Sequence, residues 1–452
     1  MLKRKVTDRL VSWEHSSRKA LLVTGARQIG KSFAIREFGK AHFDTYYEAN
    51  LAVDGDARDT LIGARNATDF INRISLLSHA PLKEGSTLIF IDEIQECPEI
   101  ITLAKSLVED GRYRYAFSGS MLGTEFKGVS SFPVGYVEQV VMRPMDFEEF
   151  CWGVGLGTEP LDTLRECMRS ERPPEGYLHE AMLRNFRAYM IAGGMPEVVQ
   201  TYVDDGYSLA QVRALQSQLI GQYRQDISKY AGSRSLEVRE IFDQLPAQLE
   251  DDPHRFMYAA LKSDARYSQY DHDFLWLTNA GAALMVRQAT EAKAPLKRTE
   301  VAERFKLYQS DTGMLLSRYP QSTARAVYLD QKTQNLGGIY ENAIAQELAA
   351  ADVPLWYYAS DGVGEVDFLM EGKGGRVIPV EVKSGRKIRS HAALDRLMKV
   401  EQYKIRNALV LSRNPLSREG RVLYAPIYMA FCLDELVERE SAGFSFAPNV
   451  AV

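Results

Sequence analysis

The sequence predicts an α/β fold in which a parallel sheet is followed by a helical region and then by a second α/β region. Short apolar runs alternate with helical segments over residues 20–150, which is typical of parallel strands joined by crossover helices. Apolar residues then recur every four positions over 178–191 and 208–227, which predicts helices. Strand-like runs return after residue 330. The apolar runs of the first region are LLVTG (21–25), TLIFID (87–92) and YAFSGS (115–120).

Length and composition are those of a globular protein with several domains. The chain has 452 residues, of which 45% are apolar and 25% charged, and its net charge is −5. A negative net charge argues against a protein that coats nucleic acid with its whole surface. The N-terminus has no apolar run after its basic residues, and no stretch approaches about 18 uninterrupted apolar residues. We therefore expect no signal peptide, no membrane span and a cytoplasmic location.

The strongest sequence signal is GARQIGKS at residues 25–32, between a predicted strand and a predicted helix. It fits the pattern G-x-x-x-x-G-K-[ST], in which glycines let backbone N–H groups surround phosphates and the helix N-terminus adds positive potential. Lys31 is expected to neutralise the β- and γ-phosphates, and Ser32 to ligate Mg²⁺. The sequence therefore predicts ATP and Mg²⁺ as cofactors, bound by Gly25, Ala26, Arg27, Gln28, Ile29, Gly30, Lys31 and Ser32.

A second motif, LIFIDEIQ at 88–95, supports a nucleotide site. Its apolar residues predict a buried strand, and Asp92 follows at the carboxyl end, where ligands of parallel sheets bind. Asp92 is expected to hold Mg²⁺ through water. Glu93 is placed to orient or deprotonate an attacking water, which favours ATP hydrolysis over static binding. The third strand ends in Ser-Gly-Ser, where Ser120 would sense the γ-phosphate, although this tripeptide also forms ordinary turns.

These patterns divide the chain into four ranges. Residues 1–150 are predicted to form a P-loop ATPase core, and residues 151–232 a helical lid. Residues 233–329 combine short helices with a strand pair, which suits a winged-helix module. Winged helices bind DNA or serve only as spacers between proteins. Residues 330–452 return to strands and form the last α/β domain.

VIPVEVKSG at 377–385 places Glu381 and Lys383 on one face of a predicted strand, because strand side chains alternate between faces. For a single Glu-x-Lys pair, a solvated strand face is the commoner explanation. From residue 381 to residue 421 the chain has eleven Lys or Arg residues and four Asp or Glu residues. A basic segment in an acidic protein is either a nucleic-acid footprint or a solvated helix face.

Together these motifs resemble those of a known family. The chain is similar to prokaryotic AAA-type P-loop ATPases whose C-terminal domain of unknown function resembles the restriction-endonuclease-like (PD-(D/E)xK) fold. The similarity extends over nearly the whole chain. Its motifs, in chain order, are GARQIGKS, LIFIDEIQ, FSGSMLG, SFPVGYVEQVVMRPMDFEEF, YMIAGGMPEVV, YRQDISKY, FKLYQSDTGML, GGIYENAIAQEL, GEVDFLM and VIPVEVKSG.

The resemblance implies a nuclease-like site in the C-terminal domain. Glu341 on a helix, Asp367 on one strand and Glu381 on the adjacent strand would bind one or two Mg²⁺ ions. Lys383 would orient the attacking water or stabilise developing charge. Glu365, one pleat from Asp367, leaves a structural salt-bridge cluster as an alternative. A catalytically silent module that binds DNA or another protein is a further alternative.

The chain departs from the family at one motif. Many members have Gly-Arg where this chain has Gly135-Tyr136, and that arginine would act on the ATP of a neighbouring subunit. Arg143, Arg187 or Arg224 would have to replace it. Whether hydrolysis needs a homo-oligomer is therefore left open by the sequence.

Two functional hypotheses follow from these features. In the first, a Mg²⁺-dependent ATPase couples its nucleotide state to a nuclease-like domain that acts on nucleic acid, with DNA as the expected substrate. In the second, the protein is a nucleotide-operated switch or regulator that binds DNA or protein through a catalytically silent scaffold. The carboxylate set and the basic segment favour the first hypothesis. The net negative charge and the missing Gly-Arg favour the second.

Overall fold

The computed structural model describes residues 2–120, 133–250, 254–331, 336–372, 374–385 and 391–439. Within these ranges, no helix is long and apolar enough to cross a membrane. The chain divides into two compact units. The first contains Met1–Pro144 together with the short segments Met195–Glu197 and His272–Ala282, and the second contains the remainder.

The first unit is built on a five-stranded sheet in the order β2-β3-β4-β1-β5, and every pair of neighbouring strands is parallel. The parallel sheet predicted from the alternating apolar runs is therefore confirmed. Its strands are β1 Ala20–Thr24, β2 Thr45–Asn50, β3 Thr87–Asp92, β4 Arg114–Gly119 and β5 Val137–Val141. The helices of this part of the chain are α1 Val6–Ser16, α2 Lys31–His42, α3 Gly55–Leu61, α4 Ala67–Leu77, α5 Glu99–Thr102 and α6 Ala104–Asp110.

The central strands β1, β3 and β4 are apolar because both faces of the sheet are covered. All residues of β1 and β3 are buried, and one side of β3 packs in a core with Phe70, Ile74, Ile100 and Leu107. Parallel strands end at the same edge of a sheet. The loop after β1, the last residue of β3 and the end of β4 therefore lie along one edge, where a ligand of such a sheet binds.

The chain between residues 147 and 279 is mainly helical, as the four-residue apolar spacing predicts. The predicted helices over 178–191 and 208–227 lie within two longer helices, α9 and α11. Gly193 ends α9 with a positive φ of 76°. The helices here are α7 Phe147–Gly153, α8 Thr158–Ser170, α9 Gly176–Ala192, α10 Pro196–Asp204, α11 Leu209–Tyr230, α12 Ser235–Gln248 and α13 Tyr267–Asn279.

The second unit contains a mixed sheet of eight strands in the order β12-β13-β11-β10-β9-β8-β6-β7. Strand β9 pairs antiparallel with both β8 and β10, and β10 pairs in parallel with β11. The strands are β6 Ala283–Ala289, β7 Glu300–Gln309, β8 Trp356–Ser360, β9 Gly364–Glu371, β10 Val377–Val382, β11 Ala408–Ser412, β12 Ser417–Glu419 and β13 Val422–Pro426. The remaining helices are α14 Thr312–Ser317, α15 Gln321–Tyr328, α16 Gly337–Ala350, α17 Ala392–Met398 and α18 Leu433–Arg439.

The strand pair of the predicted winged-helix module belongs to this larger sheet. β6 and β7 pair antiparallel, as expected, but β6 also pairs in parallel with β8. The predicted boundary at residue 330 therefore falls between strands of one sheet, and a separate winged-helix module is not confirmed. The sequence did not reveal this pairing because β6 and β8 are separated by more than 60 residues. The four predicted ranges remain predictions.

Candidate functional site

The phosphate-binding motif forms the turn between β1 and α2. Gly25 has a φ of 140°, and a Cβ atom there would lie 2.0 Å from the backbone oxygen of Met142, so only glycine fits. Gly30 has a φ of 87° and precedes the first residue of α2. Between the two glycines, Ala26 and Ile29 are buried and Arg27 is exposed. Gln28 has a positive φ of 61°.

Lys31 points back into this turn. Its side chain is buried, and its Nζ atom donates to the backbone oxygens of Gly25 at 3.0 Å and Ala26 at 2.7 Å. Burial lowers the pKa of Lys31 to about 8, although Glu93 and Asp92 act in the opposite direction. The ammonium therefore lies within the loop that the motif predicts for phosphate. The N-terminus of α2 adds positive potential there, and Ser32 is half-buried in its first turn.

Asp92 is the last residue of β3 and is 1% exposed. Its Oδ2 atom accepts from Nδ2 of Asn50 at 2.8 Å, and its Oδ1 atom accepts from the hydroxyl of Ser118. The two partners follow from the sheet order, because β2 and β4 flank β3. Asn50 and Ser118 were not identified as site residues from the sequence. They hold the carboxylate at the carboxyl edge of the sheet.

Glu93 follows Asp92 in the left-handed region, with φ 54° and ψ 50°. A residue other than glycine in this region stores strain and is often found at functional sites. The carboxylate of Glu93 accepts from Nε2 of Gln95 and lies 3.5 Å from the hydroxyl of Ser120. The structure thus brings the predicted base and the predicted γ-phosphate sensor together.

The residues of this edge fit a magnesium ion. Mg²⁺ prefers hard oxygen ligands, keeps several waters and usually binds one or two carboxylates together with substrate phosphates. Asp92 supplies a buried carboxylate fixed by two side chains, and Ser32 supplies a hydroxyl in the first turn of α2. This donor set agrees with the predicted roles of both residues.

Two of the candidate arginine fingers, Arg187 and Arg224, have ion-pair partners within their own unit. Arg187 lies 3.7 Å from Asp330, and Arg224 lies 2.7 Å from Asp243. The backbone oxygen of Arg143 accepts from Arg4. A finger that acts on a neighbouring subunit therefore stays a prediction for each of them. Tyr136, which replaces the family's arginine, donates its hydroxyl to Glu109 at 2.8 Å.

In the second unit, Glu341 on α16 and Asp367 on β9 come together as the resemblance implied, but around a lysine. The Nζ atom of Lys306 on β7 lies 3.0 Å from Glu341, 2.9 Å from Glu365 and 3.7 Å from Asp367. Lys306 is completely buried. We call Lys306, Glu341, Glu365, Asp367, Glu381 and Lys383 the carboxylate cluster.

Further hydrogen bonds fix the carboxylates of this cluster. Glu341 also accepts from the hydroxyl of Tyr308 at 2.6 Å, and His254 lies 3.4 Å from it. Arg255 donates to Glu365 at 2.8 Å. His254 and Arg255 lie outside the quoted motifs, and Tyr308 lies in FKLYQSDTGML, which does not by itself indicate a contact with Glu341.

The pKa values of the groups in the carboxylate cluster depend on the position of Lys306. Burial acts to lower the pKa of Lys306, but Glu341 and the other acidic groups around it raise this pKa well above its ordinary value. Burial acts to raise the pKa of Glu341, but Lys306 and His254 hold it below its usual range. Burial, with Glu341 and Glu381 nearby, raises the pKa of Asp367 well above its usual range. Lys306 is therefore the main counter-ion of the cluster.

Glu381 and Lys383 project together, as the strand alternation predicts, and form a pair with Nζ and Oε1 2.7 Å apart. Glu381 is only 6% exposed, so a solvated strand face does not describe it. Burial raises the pKa of Glu381, and Lys383 opposes this. The Oε2 atom of Glu381 is buried and has no hydrogen-bond partner among the residues that the structure describes.

The predicted metal ligands of the second unit do not fit a divalent ion in this arrangement. The ammonium of Lys306 already lies among Glu341, Glu365 and Asp367. Across the described ranges, no group of three or more His, Cys, Asp or Glu side chains is arranged to hold a metal ion. The salt-bridge alternative, which the sequence raised for Glu365, describes the geometry better.

Much of the basic segment 381–421 is engaged in internal contacts. Arg418 pairs with Glu171, Arg413 pairs with Asp330, and Arg421 donates to two backbone oxygens. Arg386, Lys387 and Arg389 lie outside the described residues. Three basic residues are exposed near the surface turn before β11: Lys399, Lys404 and Arg406. Among the described residues of the segment, these three form an exposed basic group that is open to a polyanion.

Comparison with protein families matches three parts of the chain. Residues 17–151 match an AAA domain. Residues 183–323 match a domain of unknown function (DUF8612), and residues 336–428 match a second one (DUF4143). The search of curated proteins gives no match.

Several solved structures are similar to the chain at low identity. A Walker-type ATPase of Pyrococcus abyssi is 13% identical, with a TM-score of 0.42, over 70% of this chain and 96% of that one. Cdc6p of Pyrobaculum aerophilum is 12% identical, with a TM-score of 0.25, over 72% and 91%. Orc1 of Aeropyrum pernix, solved with DNA, is 10% identical, with a TM-score of 0.29, over 73% and 93%. At TM-scores this low these structures carry no argument. The match to an AAA domain and the parallel sheet with its glycine-rich turn support a P-loop ATPase type of domain over residues 17–151.

Proposed function

We propose that this protein binds ATP with Mg²⁺ and hydrolyses it at the carboxyl edge of the first sheet. The observation that carries the proposal is the position of Asp92 and Glu93 at the end of β3, in the same unit as the buried ammonium of Lys31. A site that only stored nucleotide would have no need of a strained glutamate beside a buried metal-binding aspartate.

Each side chain has a role that follows from its chemistry. Lys31 exchanges its bonds to two backbone oxygens for bonds to the phosphates, which the loop N–H groups also bind. Glu93 takes the proton of the attacking water, and Ser120, 3.5 Å from that carboxylate, contacts the γ-phosphate. Ser32 and Asp92 hold Mg²⁺, which neutralises charge on the phosphates when bound.

The test is phosphate release from ATP by the full chain, measured together with binding of a fluorescent ATP analogue. The wild type should release phosphate only when Mg²⁺ is present. Lys31→Met should bind no nucleotide and release no phosphate. Lys40→Met removes an exposed lysine from the same helix and should behave as the wild type. A wild type that binds ATP and releases no phosphate would contradict hydrolysis.

For the whole chain, we infer a nucleotide-operated switch that binds DNA or protein, with a C-terminal domain that does not cleave nucleic acid. The order α16, three antiparallel strands, α17 and a parallel strand supports the restriction-endonuclease-like fold that the resemblance implies. The position of Lys306 among the carboxylates favours a silent scaffold over a nuclease.

Cleavage assays separate this function from an ATPase coupled to a nuclease. Duplex and single-stranded DNA and RNA are incubated with the protein, ATP and either Mg²⁺ or Mn²⁺. We expect no cleavage. Strand cleavage by the wild type, if it is lost in both Asp367→Ala and Glu381→Ala, would support a nuclease instead. That outcome would not contradict the proposal that the first unit hydrolyses ATP.

A further inference from the structure

The carboxylate cluster of the second unit contains a cation that belongs to the chain itself. Lys306 comes from β7, whereas the carboxylates come from α16, β9 and β10. Its Nζ atom contacts Glu341 and Glu365 at 3.0 and 2.9 Å, and Asp367 lies at 3.7 Å. An ammonium has three N–H donors, so one lysine is able to bind several carboxylates at once, as a metal ion does.

We propose that Lys306 is a resident cation that takes the place of a divalent metal ion and closes the carboxylate cluster to metal. Two of the three predicted metal ligands, Glu341 and Asp367, lie within 3.7 Å of this ammonium, and the third, Glu381, is paired with Lys383. A metal ion there would have to displace a buried lysine, and an ammonium without carboxylate partners is very unfavourable in a buried position.

The rest of the cluster agrees with a site completed by protein groups. Arg255 donates to Oε2 of Glu365, and Tyr308 donates to the same Oε2 atom of Glu341 that Lys306 binds. The backbone N–H of Val382 donates to Asp367 at 2.7 Å. Lys383 binds the Oε1 atom of Glu381. Within the described ranges, one buried oxygen of Glu381, Oε2, has no hydrogen-bond partner.

This arrangement makes removal of Lys306 a gain of metal binding rather than a simple loss. In Lys306→Ala, the carboxylates of Glu341, Glu365 and Asp367 lose their shared cation, and the shortened side chain leaves space. Mn²⁺ supplies the missing charge and binds the same hard oxygens. The inference does not depend on ATP hydrolysis, because the first unit contributes none of these residues.

The experiment measures Mn²⁺ binding and thermal stability in full-length protein without nucleotide. All variants carry Asp92→Asn, which removes the metal-binding carboxylate of the nucleotide site. Isothermal titration should show no Mn²⁺ site in this parent and one site in Lys306→Ala. Lys306→Ala should melt earlier than the parent in EDTA, and Mn²⁺ should raise its melting temperature but leave that of the parent unchanged.

Lys383→Ala is the matched control, because it removes the other lysine of the cluster and leaves Lys306 in place. It should acquire no Mn²⁺ site. If Lys306→Ala alone does not fold, the double variant Lys306→Ala/Glu365→Gln takes its place. It retains Glu341, Asp367 and Glu381 and has one fewer carboxylate without a counter-ion. The proposal is overturned if the parent binds Mn²⁺ at a site that Asp367→Ala abolishes. It is also overturned if neither the single nor the double Lys306→Ala variant gains a Mn²⁺ site or a higher melting temperature in Mn²⁺.

Discussion

The Nδ2 atom of Asn50 donates to the Oδ2 atom of Asp92 over 2.8 Å. The two residues end neighbouring parallel strands and are paired in register. Asp92 is also bound through Oδ1 by Ser118, on the opposite neighbouring strand. The carboxylate is therefore held from both sides, and its orientation depends on three strands rather than on its own motif alone.

Asn50 should accordingly act as a positioning residue for the metal. Groups that orient a metal-binding carboxylate typically contribute about 10- to 100-fold to metal affinity. For Asn50→Ala we expect a rise of this size in the Mg²⁺ concentration that gives half-maximal ATP hydrolysis, with nearly full activity recovered at saturating Mg²⁺. The measurement is a Mg²⁺ titration of the hydrolysis rate. Asn72→Ala, at an exposed position of α4, is the control, and an unchanged titration for Asn50→Ala would refute the role.

Nucleotide affinity should weaken above pH 8. Burial lowers the pKa of Lys31 to about 8 in the free protein, and bound phosphates stabilise its charged form. Binding therefore takes up a proton once the pH exceeds this pKa, and the affinity for Mg·ATP should fall about tenfold between pH 7 and pH 9. Fluorescence titrations over this range measure it. Lys31→Met should bind no nucleotide at any pH, and a wild-type affinity that does not change up to pH 9 would contradict the assignment.

Gly193 should tolerate no side chain. It has φ 76° and ψ −166°, a region that is almost exclusive to glycine. A Cβ atom there would lie 2.2 Å from Oδ1 of Asp311, which is buried and accepts from the N–H groups of Gly194 and Met314. We expect Gly193→Ala to lower the free energy of unfolding by about 2 kcal/mol or more.

Denaturant titration measures that loss, and Gly206→Ala is its control. Gly206 also has a positive φ, of 61°, but no atom lies within 4 Å of its added Cβ. This control therefore carries backbone strain without the contact to Asp311. Equal losses in the two variants would show that the contact with Asp311 is unimportant.

Nucleic acid binding should depend steeply on salt if the basic segment is its footprint. Each phosphate contact releases counter-ions, which sets the slope of affinity against salt concentration. Replacing Lys399, Lys404 and Arg406 by alanine should weaken binding and reduce that slope by about three. Gel-shift or anisotropy titrations with duplex and single-stranded DNA and RNA measure both quantities. A flat salt dependence, or no binding at low salt, would make protein the partner of the switch.

The nucleotide site was predictable from the sequence because its chemistry lies in short, contiguous motifs. GARQIGKS requires glycines at fixed positions, and LIFIDEIQ places Asp92 and Glu93 at the end of a buried strand. Asn50 and Ser118 were not predictable as partners of Asp92, because their positions depend on the order in which strands pair. That order arises from tertiary packing, which periodicity does not encode.

The carboxylate cluster shows the opposite case. Glu341, Asp367, Glu381 and Lys383 could be found from motifs, but the group that decides their chemistry could not. Lys306 lies in RFKLYQSD, where its alternation with the apolar Phe305 and Leu307 suggests an ordinary strand with one polar face. Its burial follows from the pairing of β6 with both β7 and β8, which places β7 in the C-terminal sheet. A prediction that places a domain boundary at residue 330 therefore separates Lys306 from the carboxylates that it binds.

The central claim is that Glu93 is the base of ATP hydrolysis at this site, and single-turnover kinetics of Glu93→Gln test it most directly. Glu99→Gln, at an exposed position of α5, is the control and should match the wild type. We predict that Glu93→Gln binds Mg·ATP with wild-type affinity and hydrolyses it about 10²- to 10⁴-fold more slowly, which is the usual contribution of a general base. Hydrolysis by Glu93→Gln at the wild-type rate would contradict the account.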